Sequence, residues 1–181
     1  MKANVELLIQ PYSVINSRSL IHLLIKELLS NDWNCFRAAV AFARSSGNYE
    51  DLLRAMKEFA NQGGKIDLTF GADRFSGESG SDYDAIKELL ITLNQEPTAR
   101  LFLYHEPNRT FHPKLYLFAN EDKKRALLIV GSSNWSKGGF WDNIEVNVVI
   151  DLDLADSEQN QCYHEVQNCI DKFWVETENE R

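Results

Sequence analysis

The sequence has few cysteines: of its 181 residues only Cys35, Cys162 and Cys169 are cysteine, and no two of them form a CxxC pair. An odd and sparse set of this kind argues against a disulfide framework and against a structural zinc site. Cys35 opens an apolar run with strand character, and Cys162 and Cys169 lie seven positions apart on one face of a predicted helix. We therefore expect all three to pack in the core.

Long apolar runs are also missing. No stretch approaches the roughly 18 uninterrupted apolar residues that a membrane-spanning helix needs, and the start of the chain, MKANVELLIQPYS, lacks the apolar region and cleavage site of a signal peptide. These features predict a soluble, cytoplasmic protein that has no membrane partner.

Positive charge is in the minority, with 19 Lys and Arg against 27 Asp and Glu and a formal net charge of −8. A broad nucleic-acid-binding surface normally needs a basic face, so the balance counts against one and leaves room only for a narrow positive site. The length and the 44% hydrophobic content fit one domain over residues 1–181. Within it, residues 177–181 are either the end of the domain or the start of a linker.

Apolar runs with strand character alternate with segments of helical periodicity. Strands are predicted at residues 4–10, 35–43, 65–72, 99–104, 113–119, 125–132 and 144–152, and helices at 16–30, 48–64, 81–94 and 156–176. Strand–helix units of this kind predict an α/β fold, namely a three-layer α/β/α sandwich around a mixed, largely parallel sheet.

Chemically active side chains stand at the ends of three predicted strands. His112 and Lys114 open the run FHPKLYLF, and because side chains alternate along a strand they point to the same face. The turn GSSNWSKGGF, which contains Asn134, follows the next strand, and Glu145 begins the strand after that. A carboxylate among apolar neighbours needs a partner. The sequence therefore predicts one site at this strand edge.

This combination suits the attack on a phosphate group. The imidazole of His112 can act as a nucleophile, and Lys114 and Asn134 can neutralise or donate to phosphate oxygens. Glu145 can hold the second ring nitrogen of His112 and fix its tautomer. No cluster of metal ligands is evident nearby, so we expect neither a metal nor another cofactor.

The ordered set His112-x-Lys114, Gly131-Ser132-Ser133-Asn134 and Glu145 resembles the HxK…GSxN…E signature of the phospholipase D superfamily. The likeness is greatest to its nuclease branch, which includes metal-independent restriction-type endonucleases and helicase-associated nuclease domains. It extends over roughly residues 5–152. The signature of the phospholipases has an acidic residue shortly after the lysine, where this chain has Ala119-Asn120.

The resemblance implies a metal-independent endonuclease that cleaves DNA through a phosphohistidine intermediate. The chain has a single HxK motif, and single-motif members of the superfamily pair as homodimers with the active site at the two-fold interface. The resemblance leaves RNA open as a substrate, and it leaves room for a specificity or helicase partner. A catalytically silent nucleic-acid-binding or dimerisation module is the alternative, and a phospholipase is a third reading.

Other residues near the motif are candidates for substrate binding. Ser132 and Ser133 are either phosphate-facing hydroxyls or turn residues, and a structural role is favoured for Ser133. His105 and Arg109 precede the HxK motif, and Ser45 follows a predicted strand, where each can reach substrate or simply belong to a loop.

Overall fold

The computed structural model of the chain describes residues 3–12, 19–47, 49–72 and 80–174. These residues form seven strands, four α-helices, one π-helical turn at Gly138–Asp142 and one 3-10 turn at Lys172–Trp174. The strands are β1 (Asn4–Gln10), β2 (Cys35–Val40), β3 (Lys65–Gly71), β4 (Ala99–Tyr104), β5 (Lys114–Asn120), β6 (Arg125–Gly131) and β7 (Glu145–Asp153). The α-helices are α1 (Leu20–Leu29), α2 (Glu50–Asn61), α3 (Tyr83–Leu93) and α4 (Ser157–Asp171).

Every predicted strand and helix is present, with ends that differ by a few residues. The π-helical turn was not predicted. Parts of the predicted helices, at residues 16–18, 48 and 175–176, lie outside the described residues, as does the tail at residues 177–181.

The strands form one mixed sheet in the order β1-β7-β6-β5-β2-β3-β4. The mixed α/β sheet is confirmed, but the prediction that it is largely parallel is wrong. Only β2–β3 and β3–β4 pair in parallel, whereas the other four pairs are antiparallel. For the pair β5 and β6 the physical reason is the short turn at residues 121–124, because a parallel connection needs a long crossover.

Helices cover both faces of the sheet. On one face, side chains of α1, α2 and α3 such as Leu24, Met56 and Leu89 join a core that includes Phe118 of β5. On the other face, Tyr163 of α4 packs in a second core with residues of β5, β6 and β7. The predicted three-layer sandwich is therefore confirmed. Among the described helices, none has both the length and the apolar content that crossing a bilayer requires.

The cysteines do not all lie in the core. Cys35 is partly buried, and this burial raises the pKa of its thiol to about 11. Cys162 and Cys169 are exposed, so their predicted core role is wrong. Each stands one position before a buried residue of α4, Tyr163 or Ile170. One position is a rotation of about 100° around a helix, which turns both cysteines away from the sheet.

Strand direction brings the predicted site residues to one edge of the sheet, meaning the edge that is formed by the ends of the strands and not by an outer strand. In the pairing register Val40 of β2 lies opposite Lys114, and Gly131 of β6 lies opposite Asn147. Gln10, at the end of β1, lies opposite Glu145. The starts of β5 and β7 and the ends of β1, β2, β3, β4 and β6 therefore share this edge.

Candidate active site

His112 and Lys114 are in direct contact at the start of β5. The Nζ of Lys114 lies 2.8 Å from Nδ1 and 2.9 Å from Nε2 of His112, and 3.3 Å from its carbonyl oxygen. The histidine is exposed, whereas the lysine is buried. An ammonium group can only donate, so the ring nitrogen that accepts from it carries a lone pair. That is the form in which an imidazole acts as a nucleophile.

An aromatic cluster fixes the chain just before His112. Phe111 is buried, and its ring centroid lies 4.7 Å from that of Tyr104 at the end of β4. Phe173 of the 3-10 turn after α4 packs edge-on against Phe111 at 4.9 Å. Residues from two other parts of the fold therefore hold the backbone that carries the histidine.

Glu145 is buried at the start of β7 and is held by two neighbours. Its Oε2 accepts a short hydrogen bond from Oγ of Ser132, and its Oε1 accepts from Nδ2 of Asn143 at 3.1 Å. Within the described part of the chain, neither carboxylate oxygen bonds to His112, so the predicted carboxylate–imidazole bond is not found. Strand β6 lies between β5 and β7, and the carboxylate therefore meets Ser132, directly after β6, first.

The environment of Lys114 changes its proton affinity. Desolvation by burial lowers the pKa of the ammonium below its ordinary value of 10.5, and the negative charge of Glu145 partly opposes this effect. The folded chain thus binds this proton less tightly than the unfolded chain does. The cost of burying the ammonium is present at neutral pH and is relieved as the pH rises towards 10.5.

A pH titration should detect this shift. We expect the Lys114 ammonium, followed by NMR of ¹³Cε-labelled lysine, to titrate below the same signal of the urea-unfolded chain. The Glu145→Gln variant should lower the midpoint further, because it removes the charge that raises the pKa. Lys114→Arg assigns the signal by deleting it. A Lys114 midpoint at or above that of the unfolded chain would contradict the prediction.

Ser133 is enclosed in the interior, which supports the structural role that the sequence favoured over substrate binding. Its side chain is fully buried, with 0% exposure. Its Oγ accepts from Nδ2 of Asn147 at 2.9 Å, and its carbonyl oxygen accepts from the Tyr116 hydroxyl at 3.1 Å. Ser132, by contrast, is exposed at the edge, and its Oγ accepts from the backbone N–H of Val146 at 3.0 Å.

Asn134 is partly buried in the turn that follows β6, between the serines and the buried Trp135. Its Oδ1 is buried and has no hydrogen-bond partner among the described residues. The amide nitrogen is therefore the side-chain atom left to donate to a substrate. Gly139 of the π-helical turn packs so closely on the Asn134 backbone that a Cβ at this position would collide with the carbonyl oxygen of Asn134.

Ser45 lies in the loop after β2, which runs alongside this turn. The backbone N–H of Arg44 donates to the carbonyl of Trp135 at 2.8 Å. The N–H and Oγ of Ser45 both donate to Asp82 Oδ2, at 3.1 Å and 3.2 Å, and Arg44 donates to Oδ1 at 2.6 Å. Desolvation alone raises the pKa of Asp82, but the hydrogen bonds from Arg44 and Ser45 outweigh it and lower the pKa.

His105 and Arg109 lie in the loop between β4 and the HxK motif, at the same edge of the sheet. Both are exposed. Arg109 pairs with Glu106, with 3.3 Å between Nη1 and Oε1. The structure therefore brings His112, Lys114, Ser132, Asn134 and Glu145 to one edge, and it places His105, Arg109 and Ser45 around that group.

Four polar residues that support the site were missed from the sequence. Asn143 binds Glu145, and Asn147 and Tyr116 hold Ser133. Gln10, at 1% exposure, donates from Nε2 to the carbonyl of Gly139 at 2.8 Å and accepts from the N–H of Leu20 at 2.9 Å. Asparagines that alternate with Glu145 at the start of an apolar strand were the available signal. No signal in the sequence pointed to Tyr116 or Gln10.

No metal site emerges from these side chains. Across residues 3–12, 19–47, 49–72 and 80–174, no three or more His, Cys, Asp or Glu side chains come together in a way that could hold a metal ion.

Residues 24–174 match the family described as "Cardiolipin synthase, PLD-like domain". The chain belongs to this phospholipase-D-like family. The predicted membership of the phospholipase D superfamily is thereby confirmed. No curated protein matches the chain in sequence.

Solved structures show the same fold. NucT from Helicobacter pylori superposes with a TM-score of 0.64 at 19% identity, covering 95% of this chain and 98% of NucT. Nuc from Salmonella typhimurium, a phospholipase D family member, gives 0.62 at 16% identity, over 96% of this chain and 95% of Nuc. Phosphatidylserine synthase from Haemophilus influenzae gives 0.61 at 14% identity, over 92% of this chain but only 37% of the synthase.

Proposed function

We propose that the chain is a metal-independent phosphodiesterase that hydrolyses DNA through a phosphohistidine intermediate. The observation that carries the proposal is the contact between Lys114 Nζ and the exposed ring of His112 at 2.8 Å, at the sheet edge that also holds Asn134. A nucleophile, a cation and an amide donor beside one another are the parts that phosphoryl transfer needs.

The reaction has two steps. In the first, a ring nitrogen of His112 attacks phosphorus, so that an N–P bond forms and a P–O bond breaks. The leaving oxygen takes a proton from a general acid. In the second, that same group, now a base, takes a proton from water, the water oxygen attacks phosphorus and the N–P bond breaks. Lys114 and Asn134 bind the phosphate oxygens throughout.

Within the described residues, one copy supplies the nucleophile, but the two charged side chains that accompany it are not suited to act as the general acid. Lys114 is needed as a cation, and Glu145 already accepts hydrogen bonds from Ser132 and Asn143. We therefore assign the acid to His112 of a second copy of the chain, related by a two-fold axis. Two histidines that must differ in protonation predict a bell-shaped pH profile whose pKa values belong to the pair.

A surface suited to such pairing lies beside the site. Helix α4 leaves uncovered a part of the sheet that we call the open face, consisting of Val5 and Leu7 of β1, Val130 of β6 and Val146 of β7. Their exposed fractions are 58%, 62%, 41% and 45%. Val130 lies just before the GSSN turn, and Val146 follows Glu145 on β7 but points to the opposite face of the sheet. A second copy that packed on the open face and reached around this end of the sheet would cover apolar surface and place the two sites near each other.

Two features favour DNA as the substrate. The motif set resembles the nuclease branch of the superfamily, and NucT and Nuc match this chain over nearly their whole length, whereas the phosphatidylserine synthase is much longer than the matched part. The chain also has one HxK motif. The family description and the synthase keep a phosphatidyl substrate as the second candidate. A specificity or helicase partner would explain how so acidic a chain reaches DNA.

Cleavage assays in EDTA test the proposal. We expect end-labelled single- or double-stranded DNA to be cut in EDTA, and binding to weaken steeply as salt rises. RNA and a phosphatidyl substrate run in parallel. Turnover of the lipid without cleavage of DNA would give the activity to the second candidate. DNA binding without cleavage of any substrate would favour the silent module, and activity that is lost in EDTA and restored by a metal would contradict metal independence.

A further inference from the structure

We propose that Tyr116, Ser133 and Asn147 form a buried clamp that positions Asn134 against the His112–Lys114 pair. The inference rests on the proposed function and extends it to three positioning residues that do not touch substrate.

The clamp joins three parts of the fold that meet at the site. Tyr116 comes from β5, Asn147 from β7 and Ser133 from the turn after β6, and all three are 0% exposed. The tyrosine hydroxyl donates to the Ser133 carbonyl, and the asparagine amide donates to the Ser133 hydroxyl. The residue before Asn134 is thus held through both its backbone and its side chain.

The clamp also ties the turn to the strand that carries the lysine. Tyr116 follows Lys114 by two positions on β5, so the two side chains lie on the same face. Burial raises the pKa of the Tyr116 hydroxyl, which therefore stays protonated and keeps donating. Loss of this bond frees the turn to move relative to Lys114. The side-chain amide of Asn134, which donates to the substrate, moves with the turn.

A packing role alone does not explain Asn147. Its Oδ1 is buried and has no hydrogen-bond partner among the described residues, a condition that generally costs about 1–3 kcal/mol. The carboxamide also occupies the space next to Gly131, where any Cβ would collide with Oδ1. An apolar residue would avoid the unpaired oxygen, but it could not donate to Ser133. The chain thus keeps a costly amide that serves to fix the turn.

Kinetics of Tyr116→Phe and Ser133→Ala test the clamp. We expect kcat per folded enzyme to fall by about 10- to 100-fold while KM changes by less than about threefold, since small misplacements of catalytic groups have effects of this size. The matched control is Asn120→Ala at the far end of β5. That amide is also buried and donates to the Asp32 carbonyl at 2.9 Å. The control should lower stability without lowering kcat per folded enzyme.

A second measurement does not depend on activity. The N–H of Ser136 donates to the Asn134 carbonyl at 2.9 Å, so its hydrogen exchange reports on the turn. Tyr116→Phe should speed this exchange at least about tenfold, and Asn120→Ala should not. If Asn120→Ala changes the exchange rate and kcat as much as Tyr116→Phe does, the clamp is only structural and the inference is wrong. If wild type cuts no phosphodiester, the proposed function fails, and exchange alone still decides the clamp.

Discussion

Replacing His112 with alanine should reduce DNA cleavage by at least about 10³-fold, because loss of a covalent nucleophile removes the pathway and not merely part of its transition-state stabilisation. The side chain is exposed, so its removal should not unfold the chain. The measurement is the single-turnover rate on end-labelled DNA in EDTA, with thermal unfolding recorded for each variant.

The matched control is His22→Ala, which removes another exposed histidine, on α1, whose Nδ1 lies 3.0 Å from Ser19 Oγ. It should cut DNA like the wild type. Wild type quenched in alkali should also carry a labelled DNA fragment joined to the protein through its phosphate, since the N–P bond survives base, and His112→Ala should carry none. Retention of more than about a tenth of the wild-type rate by His112→Ala would show that another group attacks phosphorus.

The contact between His112 and Lys114 illustrates what could be predicted from the sequence. Side chains alternate along a strand, so two positions of spacing predicted that His112 and Lys114 lie together, and they are in contact although β5 begins only at Lys114. Apolar runs and helical periodicity located every strand and helix for the same reason, because they reflect local burial. The same apolar pattern marks where strands end, and the site residues stand at those ends, so their location at one edge of the sheet could be predicted.

The errors arose where the answer depended on which elements are neighbours. The partner of Glu145 could not be inferred because β6 lies between β5 and β7, an order that no local pattern records. The burial of Ser133 depends on Tyr116 and Asn147, which come from two other strands. The direction of strand pairing likewise depended on how the connections run across the sheet. The exposure of Cys162 depended on which side of α4 packs against the sheet.

The second large effect concerns the open face. Leu7→Asp should convert a dimer into a monomer and lower DNA cleavage at least about 100-fold, because a charge buried in an apolar interface has no partner and each site loses its general acid. Leu7 is 62% exposed on the edge strand β1, so the substitution should leave the fold of one copy intact. Light scattering gives the mass, and cleavage in EDTA gives the rate.

Leu90→Asp is the control for this substitution. Leu90 is 49% exposed on α3, away from the open face, and the variant should keep both the mass and the rate of the wild type. If Leu7→Asp remains a dimer, the interface lies elsewhere. If it is a monomer that cuts DNA at the wild-type rate, one copy of the chain contains a complete site and the shared mechanism is wrong.

Mixing connects the two predictions, because a shared site and two independent sites respond differently to an inactive partner. When equal amounts of wild type and His112→Ala exchange subunits, only about one dimer in four has His112 in both subunits, since random pairing of two kinds of subunit in a two-fold dimer gives that fraction. If each reaction uses both copies of His112, activity should fall to about a quarter of that of undiluted wild type at the same total protein, whereas independent sites should retain about half.

The control mixture contains Leu7→Asp in place of His112→Ala. Because Leu7→Asp should not pair, activity should fall only in proportion to the amount of wild-type dimer. If the mixture with His112→Ala retains half of the activity, His112 remains the nucleophile but the general acid must come from the same copy. His112 would then act as the nucleophile alone and not also as the acid.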